Sequence, residues 1–241
     1  MINSIVYDSI TIINSRQMTL TFKLNERLYL RDPQHTELGR KIILKSIDLI
    51  DSLGFEHFTF RKLADEIDST EASIYRYFEN KHRLLHYLTA WYWSWLEFRI
   101  DLFTGNIREP KSKLRECLRI VSEEKKVDPT FEFINEEALH RIVISEMEKT
   151  YLTKWVEDDN KAALFIGFES LCQKIANMIL QVRPGYAFAR SLASTLLLTT
   201  NQQLFFSAHL PSLTDLSDSP QRHPSLDVFL EQMVFGALNA H

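Results

Sequence analysis

The chain has 241 residues, a formal net charge of −4, and ordinary shares of hydrophobic (45%) and charged (25%) residues. These values are typical of a folded globular protein of one or two domains, and they exclude collagen-like and largely disordered chains. Only six glycines and seven prolines are present, too few for a β-rich chain built on many tight turns. Length and composition therefore favour a mainly helical protein.

Motifs for catalysis, cofactors and membranes are not found in the sequence. There is no glycine-rich phosphate loop and no apolar run of about 18 residues, and the N-terminus, with Asp8 and no basic stretch, does not resemble a secretory signal. Cys117 and Cys172 are far apart, as is typical of reduced thiols in a cytoplasm. His82 and His86 are spaced like helical metal ligands, but no third ligand is indicated and a solvated face is the simpler interpretation. We expect a cytoplasmic protein with no cofactor or metal that is not an enzyme.

The first 33 residues differ in pattern from the rest. Apolar and polar residues alternate from Leu20 to Leu24, and the alternation resumes after Asn25-Glu26. Alternation on both sides of a two-residue connection predicts a β-hairpin, although Asn-Glu is a poorer turn than Asn-Gly. Translation could also begin at Met18.

The pattern becomes helical after Pro33, a residue that suits the first turn of a helix. Ile43, Ile47 and Ile50 recur at spacings of four and three residues, and Gly54 follows them. Glycine commonly ends a helix because it adopts a left-handed conformation without strain. The spacing therefore predicts an amphipathic first helix that ends at Gly54.

Three further helices are predicted after Thr59. Thr59 is expected to cap the second helix, residues 68–70 to interrupt the pattern and cap the third, and Asn80 to cap the fourth. The second helix buries residues at i, i+3, i+4 and i+7, namely Phe60, Leu63, Ala64 and Ile67. The residues expected to face inward on the third and fourth helices are Ile74 and Phe78, and Leu84, Leu88, Trp91 and Trp95.

Five longer helical patterns follow in the second part of the chain, at about residues 111–127, 132–150, 157–182, 186–208 and 225–240. The polar stretch 211–224 is expected to form a mobile loop. The predicted fold is therefore all-α, with an N-terminal extension (residues 1–33), a three-helix head (34–85) that leads into a long helix, and a larger helical body (86–241).

Three short helices with a tight turn between the second and third form a helix-turn-helix. In such a unit the third helix lies in the DNA major groove and the second crosses the backbone. The stretch from Glu37 to Leu85 resembles the DNA-binding segment of the TetR/AcrR family of bacterial regulators, most strongly in FTFRKLADEI and STEASIYRYFENKHRLL. The remaining chain resembles the family in length and helical layout.

The resemblance implies a set of DNA contacts. Thr59 and Arg61 at the start of the second helix would face the DNA backbone, and Lys81 would bind a phosphate. The groove-facing positions of the third helix would be Thr70, Glu71, Ala72, Ser73, Tyr75, Arg76 and Tyr77. Small side chains permit close approach there, while hydroxyls and the guanidinium can donate to phosphates and base edges.

Several of these residues also have a structural interpretation. Lys81 at a helix N-terminus opposes the helix dipole by about 0.3–1 kcal/mol, a cost that a bound phosphate would reverse and that a solvated lysine tolerates. Tyr75 could pad the head, and Arg76 could be a solvated charge. Glu71 could cap the third helix instead of accepting a hydrogen bond from cytosine.

Two positions depart from the family pattern. Asp68 stands where a turn glycine is usual, but Asp tolerates a left-handed conformation better than most residues. Tyr77 stands where His is common and keeps a donor for phosphate. We therefore expect both the turn and DNA binding to be preserved.

The charge of the head is the main argument against strong DNA binding. Basic and acidic residues balance between Met18 and Leu85, so nonspecific affinity is expected to be modest and to depend on a few placed groups. Lys23, Arg27 and Arg31 in the N-terminal extension could add an arm against DNA. Packing of this segment on the head is the alternative.

The body offers candidates for a ligand site. The fourth helix is rich in aromatic side chains, which line a ligand pocket in this family but are more often core residues. The candidate ligand contacts are Trp91, Trp95, Phe98, His140 and Asn177.

The last two helical patterns, 186–208 and 225–240, are more apolar than a surface pair needs to be. The resemblance implies that they pack into a four-helix bundle in a homodimer, whose two-fold symmetry would match a palindromic operator. A purely intramolecular core is the alternative.

We therefore predict a ligand-responsive transcriptional regulator, a repressor rather than an activator, whose partners are double-stranded DNA and a small-molecule effector and which binds no membrane. The competing hypothesis is a helical ligand-binding or enzymatic protein whose helix-turn-helix no longer binds DNA. The balanced charge of the head and Asp68 are the features that support it.

Overall fold

The computed structural model describes residues 21–127, 133–151, 156–161, 163–217 and 219–239. Within these ranges every regular element is helical, which confirms the all-α prediction. Their bounds are α1 Glu37–Leu53, α2 Phe60–Glu66, α3 Glu71–Tyr75, α4 Lys81–Thr104, α5 Pro110–Ser122, α6 Glu136–Glu146, α7 Glu148–Tyr151, α8 Val156–Lys161, α9 Ile166–Val182, α10 Ala189–His209 and α11 Arg222–Asn239. No helix in the described ranges is long and apolar enough to cross a membrane.

The predicted N-terminal β-hairpin is wrong for residues 21–33, and Leu20 lies outside the described residues. In its place are two short 3-10 helices, Glu26–Leu28 and Pro33–His35. The backbone N–H and C=O of Phe22 bond to the side-chain amide of Gln34 at 3.1 and 2.8 Å. A side-chain amide therefore satisfies the backbone groups that a paired strand would have satisfied.

The described residues divide into two compact units, and the division differs from the predicted boundary at residues 85 and 86. The first unit contains residues 21–92 and the described part of 125–167, while the second contains residues 93–124 and the described residues from Phe168 onward. The difference arises because α6 packs against α1. Helix α4 contributes its first half to one unit and its second half to the other.

Salt bridges join α6 and α7 to the end of α1 in the first unit. Arg141 of α6 binds Asp51 through both carboxylate oxygens, at 3.0 and 2.8 Å. Lys149 of α7 binds Glu56 at 2.8 Å, and the backbone N–H of Phe55 donates to Glu146 at 3.4 Å. These contacts hold the end of α1 and the start of the α1–α2 connection.

In the second unit, α5 packs against α11, and α10 also packs against α11. The buried residues of α11 recur every four positions, at Leu226, Leu230, Val234 and Leu238. Asp227 accepts from the Ser122 hydroxyl at 3.2 Å, and the guanidinium of Arg183 donates to the carbonyl of Leu238 at 2.9 Å. Both ends of α11 are thereby attached to the core of this unit.

Several predicted segments differ in detail from the structure. The helix predicted over 132–150 is two helices, α6 and α7. The single helix predicted over 157–182 is two helices, α8 and α9, and Ala163 between them has a positive φ of 57°. Such a conformation interrupts a right-handed helix. The predicted loop 211–224 contains a 3-10 helix at Pro211–Leu213, and α11 already begins at Arg222.

We expect Gly39→Ala to destabilise the protein. An added Cβ would press on the carbonyl oxygen of Pro33 and lie 2.6 Å from its Cα. Crowding against backbone forces a shift of α1 or of the Pro33–His35 turn, at roughly 1–3 kcal/mol. Urea denaturation should show this loss, whereas Ser52→Ala at an exposed position of α1 should change stability by less than about 0.5 kcal/mol. Equal stability of both variants would contradict the close contact.

Candidate nucleic-acid interface

The helices of the helix-turn-helix begin where the sequence predicts, because each has a side-chain cap. Thr59 accepts from the N–H of Lys62 at 3.2 Å, and Thr70 accepts from Ser73 at 3.3 Å. Asn80 accepts from the N–H of Arg83 at 2.9 Å. These hydrogen bonds satisfy N–H groups that have no partner within the helix, and the three predicted caps are confirmed.

The turn between α2 and α3 forms without glycine. Asp68 adopts a positive φ of 52°, the left-handed conformation that was expected of it. The N–H of Ser69 donates to the carbonyl of Ala64 at 2.9 Å, and the ammonium of Lys41 donates to the carbonyl of Ile67 at 3.0 Å. The turn is therefore satisfied both by the backbone and by a cation from α1.

The inner face of α3 is fixed by apolar packing. Ile74 and Phe78 are fully buried, as predicted. The ring of Tyr75 meets the ring of Phe60 edge-on with centroids 5.0 Å apart, yet 47% of Tyr75 remains exposed. Tyr75 thus has an anchored ring and an accessible edge.

Most of the predicted DNA contacts lie on the accessible surface. The exposed residues are Thr59, Arg61, Thr70, Glu71, Ala72, Tyr75 and Arg76, and Ser73 is half-buried. The hydroxyls of Thr70 and Ser73 are 3.0 Å apart, so each already has one hydrogen-bond partner. The structure therefore gathers eight of the ten predicted residues on α2, α3 and their caps in accessible positions.

Tyr77 does not face outward as predicted. Only 2% of its surface is exposed, and its hydroxyl is 2.8 Å from the hydroxyl of Thr36. The carbonyl of Tyr77 accepts from the N–H of Leu30 at 2.8 Å, and the guanidinium of Arg31 lies 5.5 Å from the ring centroid. The N-terminal segment covers Tyr77, so its hydroxyl does not reach a groove in this conformation.

Lys81 is also placed differently from the prediction. Its ammonium donates to the carbonyls of Phe55, Glu56 and Phe58 at 3.0, 3.2 and 3.3 Å, and lies 4.7 Å from the centroid of the Phe55 ring. An ammonium has three N–H donors, so these carbonyls account for all of them. The group ties α4 to the α1–α2 connection and is not directed toward a phosphate.

The two histidines at the start of α4 have different surroundings. The His82 ring packs edge-on against Phe55, at 5.2 Å between centroids. His86 is buried and its Nε2 lies 3.8 Å from Asp159, but burial lowers its pKa to about 4. It is therefore neutral near pH 7. No group of three metal-ligating side chains occurs in the described ranges.

The candidate ligand residues of the first unit, Trp91 and His140, are both buried. The ring of Trp91 meets Phe22 edge-on at 5.2 Å, and the imidazole of His140 stacks on Tyr92 at 5.5 Å, with the planes within 5°. Each thus has its own aromatic neighbour. The contact of Trp91 with the N-terminal extension was not predicted.

The candidate ligand residues of the second unit are Trp95, Phe98 and Asn177. Trp95 is fully buried beside the Arg99 guanidinium, which lies 5.2 Å from its ring centroid, and Phe98 is half-buried. Asn177 is exposed and accepts from Gln173 at 2.8 Å, a position that does not favour lining an enclosed site.

A polar cluster in the second unit was missed by sequence reasoning. The ammonium of Lys174 lies 3.1 Å from Glu97 and also binds Asp101, and the Ser170 hydroxyl donates to Glu97 at 3.0 Å. The only sequence signal is that α4 carries two acids spaced i, i+4. Their shared cation comes from α9, more than seventy residues away.

Neither cysteine is suited to nucleophilic chemistry. Burial raises the pKa of the Cys117 thiol to about 12 and that of Cys172 to about 11. The thiolate is the reactive form of cysteine, so both side chains are unreactive thiols at neutral pH.

The comparison with protein families points to the same segment as the geometry. The family described as bacterial regulatory proteins, tetR family, matches residues 42–88, which span the buried part of α1, the two helices of the motif and the start of α4. Residues 42–88 are thus similar to the helix-turn-helix segment of the tetR family. A comparison with curated proteins by sequence found no match.

Solved structures with the same fold extend over most of the chain. The ketosteroid transcriptional regulator KstR2 of Mycobacterium tuberculosis has a TM-score of 0.54 at 14% identity, over 84% of this chain and 95% of that one. The fatty acid degradation regulator FadR from Bacillus halodurans has a TM-score of 0.57 at 15% identity, over 83% and 98%. AibR, in complex with isovaleryl coenzyme A and operator DNA, has a TM-score of 0.50 at 18% identity, over 81% and 98%. The chain thus shares the fold of these three regulators over more than four fifths of its length.

We expect Lys81→Met to lower stability rather than to alter the salt dependence of DNA binding. Methionine keeps an aliphatic stem but leaves three carbonyls without their charged donor. Loss of a charged hydrogen bond costs roughly 1.5–3 kcal/mol, measurable by urea denaturation without DNA.

Lys62→Met is the matched control, because Lys62 donates to the single carbonyl of His57 at an exposed position. It should cost less than Lys81→Met. Unchanged stability of Lys81→Met, together with a weaker salt dependence of DNA binding, would support the original prediction that Lys81 binds a phosphate.

Proposed function

We propose that the protein is a transcriptional regulator that binds DNA as a homodimer and responds to a small-molecule ligand. The observation that carries the proposal is the exposed surface of α3, capped by Thr70 and anchored by Ile74, in a segment that matches the tetR family. A short helix held with its polar side outward is what major-groove reading requires.

Individual contacts follow from the exposed chemistry of this surface. Arg76 can donate to guanine or phosphate, Glu71 can accept from cytosine, and the accessible edge of Tyr75 can donate to phosphate. Ala72 and Ser73 are small enough for the helix to approach the bases. Thr59 and Arg61 lie at the start of α2, where the family places contacts to the DNA backbone.

The homodimer is supported by the surface of α11, the second of the two helices predicted to dimerise. While one face of α11 is buried in its own unit, Val228 and Phe229 on another face are 58% and 40% exposed. Gly236, also on an exposed face, has open space around it, which permits close approach of another helix. Adjacent exposed apolar side chains beside a glycine form a candidate association surface, and a two-fold dimer presents both heads to a palindromic site.

The proposed class of ligand is supported by what proteins of the same fold are named for. AibR is described with isovaleryl coenzyme A and operator DNA, and two others are named a ketosteroid transcriptional regulator and a fatty acid degradation regulator. An apolar or acyl effector would suit the aromatic side chains of α4. We propose a repressor that such a ligand releases from DNA, through a higher affinity for the conformation that does not bind DNA.

The alternative is a ligand-binding or enzymatic protein whose head has lost DNA binding. Three observations favour it: charge is balanced in the head, Tyr77 is buried and Lys81 is bound to carbonyls. The exposure of Tyr75, Arg76 and Arg61 weighs against it, and a binding selection decides between the two.

The deciding experiment is selection of bound fragments from a random-sequence duplex pool with the purified protein. Enrichment of an inverted repeat would support a dimeric, sequence-specific regulator and would supply the probe for ligand screening. Failure to enrich any sequence, even at low salt, would favour the alternative function.

Tyr75→Phe is expected to weaken binding to every duplex by a similar factor. The variant keeps the ring contact with Phe60 and removes only the hydroxyl, so stability should change little. A charged hydrogen bond to phosphate is worth roughly 1.5–3 kcal/mol, a loss of about tenfold or more in a fluorescence anisotropy titration. Unchanged affinity would show that Tyr75 only packs against the head.

Phe229→Glu is expected to dissociate the dimer, because it places a charge on the proposed association surface. Sedimentation equilibrium should show monomers at concentrations where the natural protein is dimeric. Leu102→Glu is the control, since Leu102 is 60% exposed on α4 and should leave the dimer intact. A Phe229→Glu variant that remains dimeric would exclude this face of α11 from the interface.

A further inference from the structure

The N-terminal segment that precedes α1 is attached directly to the end of α3. The N–H of Leu30 donates to the carbonyl of Tyr77, and Phe22, Leu24 and Leu28 are buried. The Gln34 amide bonds both backbone groups of Phe22, which keeps the segment folded on itself. Residues 22–34 are thus a fixed part of the head, not a free tail.

Arg31 is the cation that this segment brings beside α3. Its guanidinium lies 5.5 Å from the centroid of the Tyr77 ring while the residue remains exposed. The neighbouring carboxylate of Asp32 is engaged by His35 at 3.3 Å and by the N–H of Gln34 at 2.9 Å. Among the described residues, none forms a salt bridge with Arg31.

The position of Arg31 complements the burial of Tyr77. The Tyr77 hydroxyl, the expected phosphate donor, is bound to Thr36. The ring instead supports a guanidinium at the same end of α3. Contact with an aromatic face restricts the side chain while leaving its N–H donors free, and such a planar group suits phosphate oxygens.

We propose that Arg31 is a DNA-contacting residue: the segment 22–34 holds its guanidinium on the Tyr77 ring, from where it binds a backbone phosphate beside the groove that α3 enters. This inference rests on the proposed DNA-binding function and adds a contact from outside the helix-turn-helix. The Tyr77 hydroxyl is bound to Thr36 and does not itself contact DNA.

The test compares Arg31→Ala, Tyr77→Phe and the natural protein, using the duplex enriched by selection and a random-sequence duplex. Arg31→Ala should weaken binding to both by roughly tenfold. The slope of log K against log salt is negative. Arg31→Ala should reduce its magnitude by about 0.9 for each phosphate that the variant leaves without a cation. Tyr77→Phe keeps the ring under Arg31 and should leave affinity unchanged, although it removes the bond to Thr36.

Arg27→Ala is the matched control, because Arg27 is an exposed arginine of the same segment and its removal changes net charge equally. Equal weakening by Arg27→Ala and Arg31→Ala would overturn the proposal in favour of a general charge effect. Weakening by Tyr77→Phe, or full affinity of Arg31→Ala, would also overturn it. If the natural protein binds neither duplex, the proposed function itself fails, an outcome distinct from these.

Discussion

The five residues of α3 cannot form a stable helix on their own, because isolated helices shorter than about 12 residues are marginal in water. Their conformation depends on what surrounds them. Thr70 satisfies one end, Ile74 and Phe78 anchor the inner face, and the N–H of Leu30 binds the carbonyl of Tyr77 just beyond the other end. The rest of the head keeps this short helix folded and its outer side exposed.

Several polar groups that could otherwise bind DNA instead hold the helices and turns of the head in place. Lys41 donates to the carbonyl of Ile67 at the end of α2, Lys81 donates to carbonyls of the α1–α2 connection, and Tyr77 binds Thr36. In a head with balanced charge, few cations then remain for phosphate. Binding must depend on accessible side chains placed near α3, and electrostatic attraction at a distance contributes little.

Local signals in the sequence predicted the frame of the head well. The caps Thr59, Thr70 and Asn80 and the left-handed Asp68 depend on residues within a few positions of each other, and the structure contains them all. What was missed depends on distant residues: the hydroxyl that binds Tyr77 is 41 residues away, and the carbonyls that bind Lys81 are 23 to 26 residues away. Periodicity carries no information about such partners. The false hairpin has the same cause, because the amide that satisfies Phe22 lies 12 residues further on.

In the first unit, α6 makes both a buried aromatic contact with α4 and a salt bridge with α1. His140 stacks on Tyr92 of α4, while the next residue of α6, Arg141, holds Asp51 at the end of α1 with two hydrogen bonds. A ligand that displaced the His140 ring would therefore act on the helix that fixes the α1–α2 connection. The same connection supplies the three carbonyls to which Lys81 donates. Because α6 binds α1 through directional hydrogen bonds, displacement of α6 would strain these bonds. A ligand would shift the head only to the extent that it binds the displaced conformation more tightly.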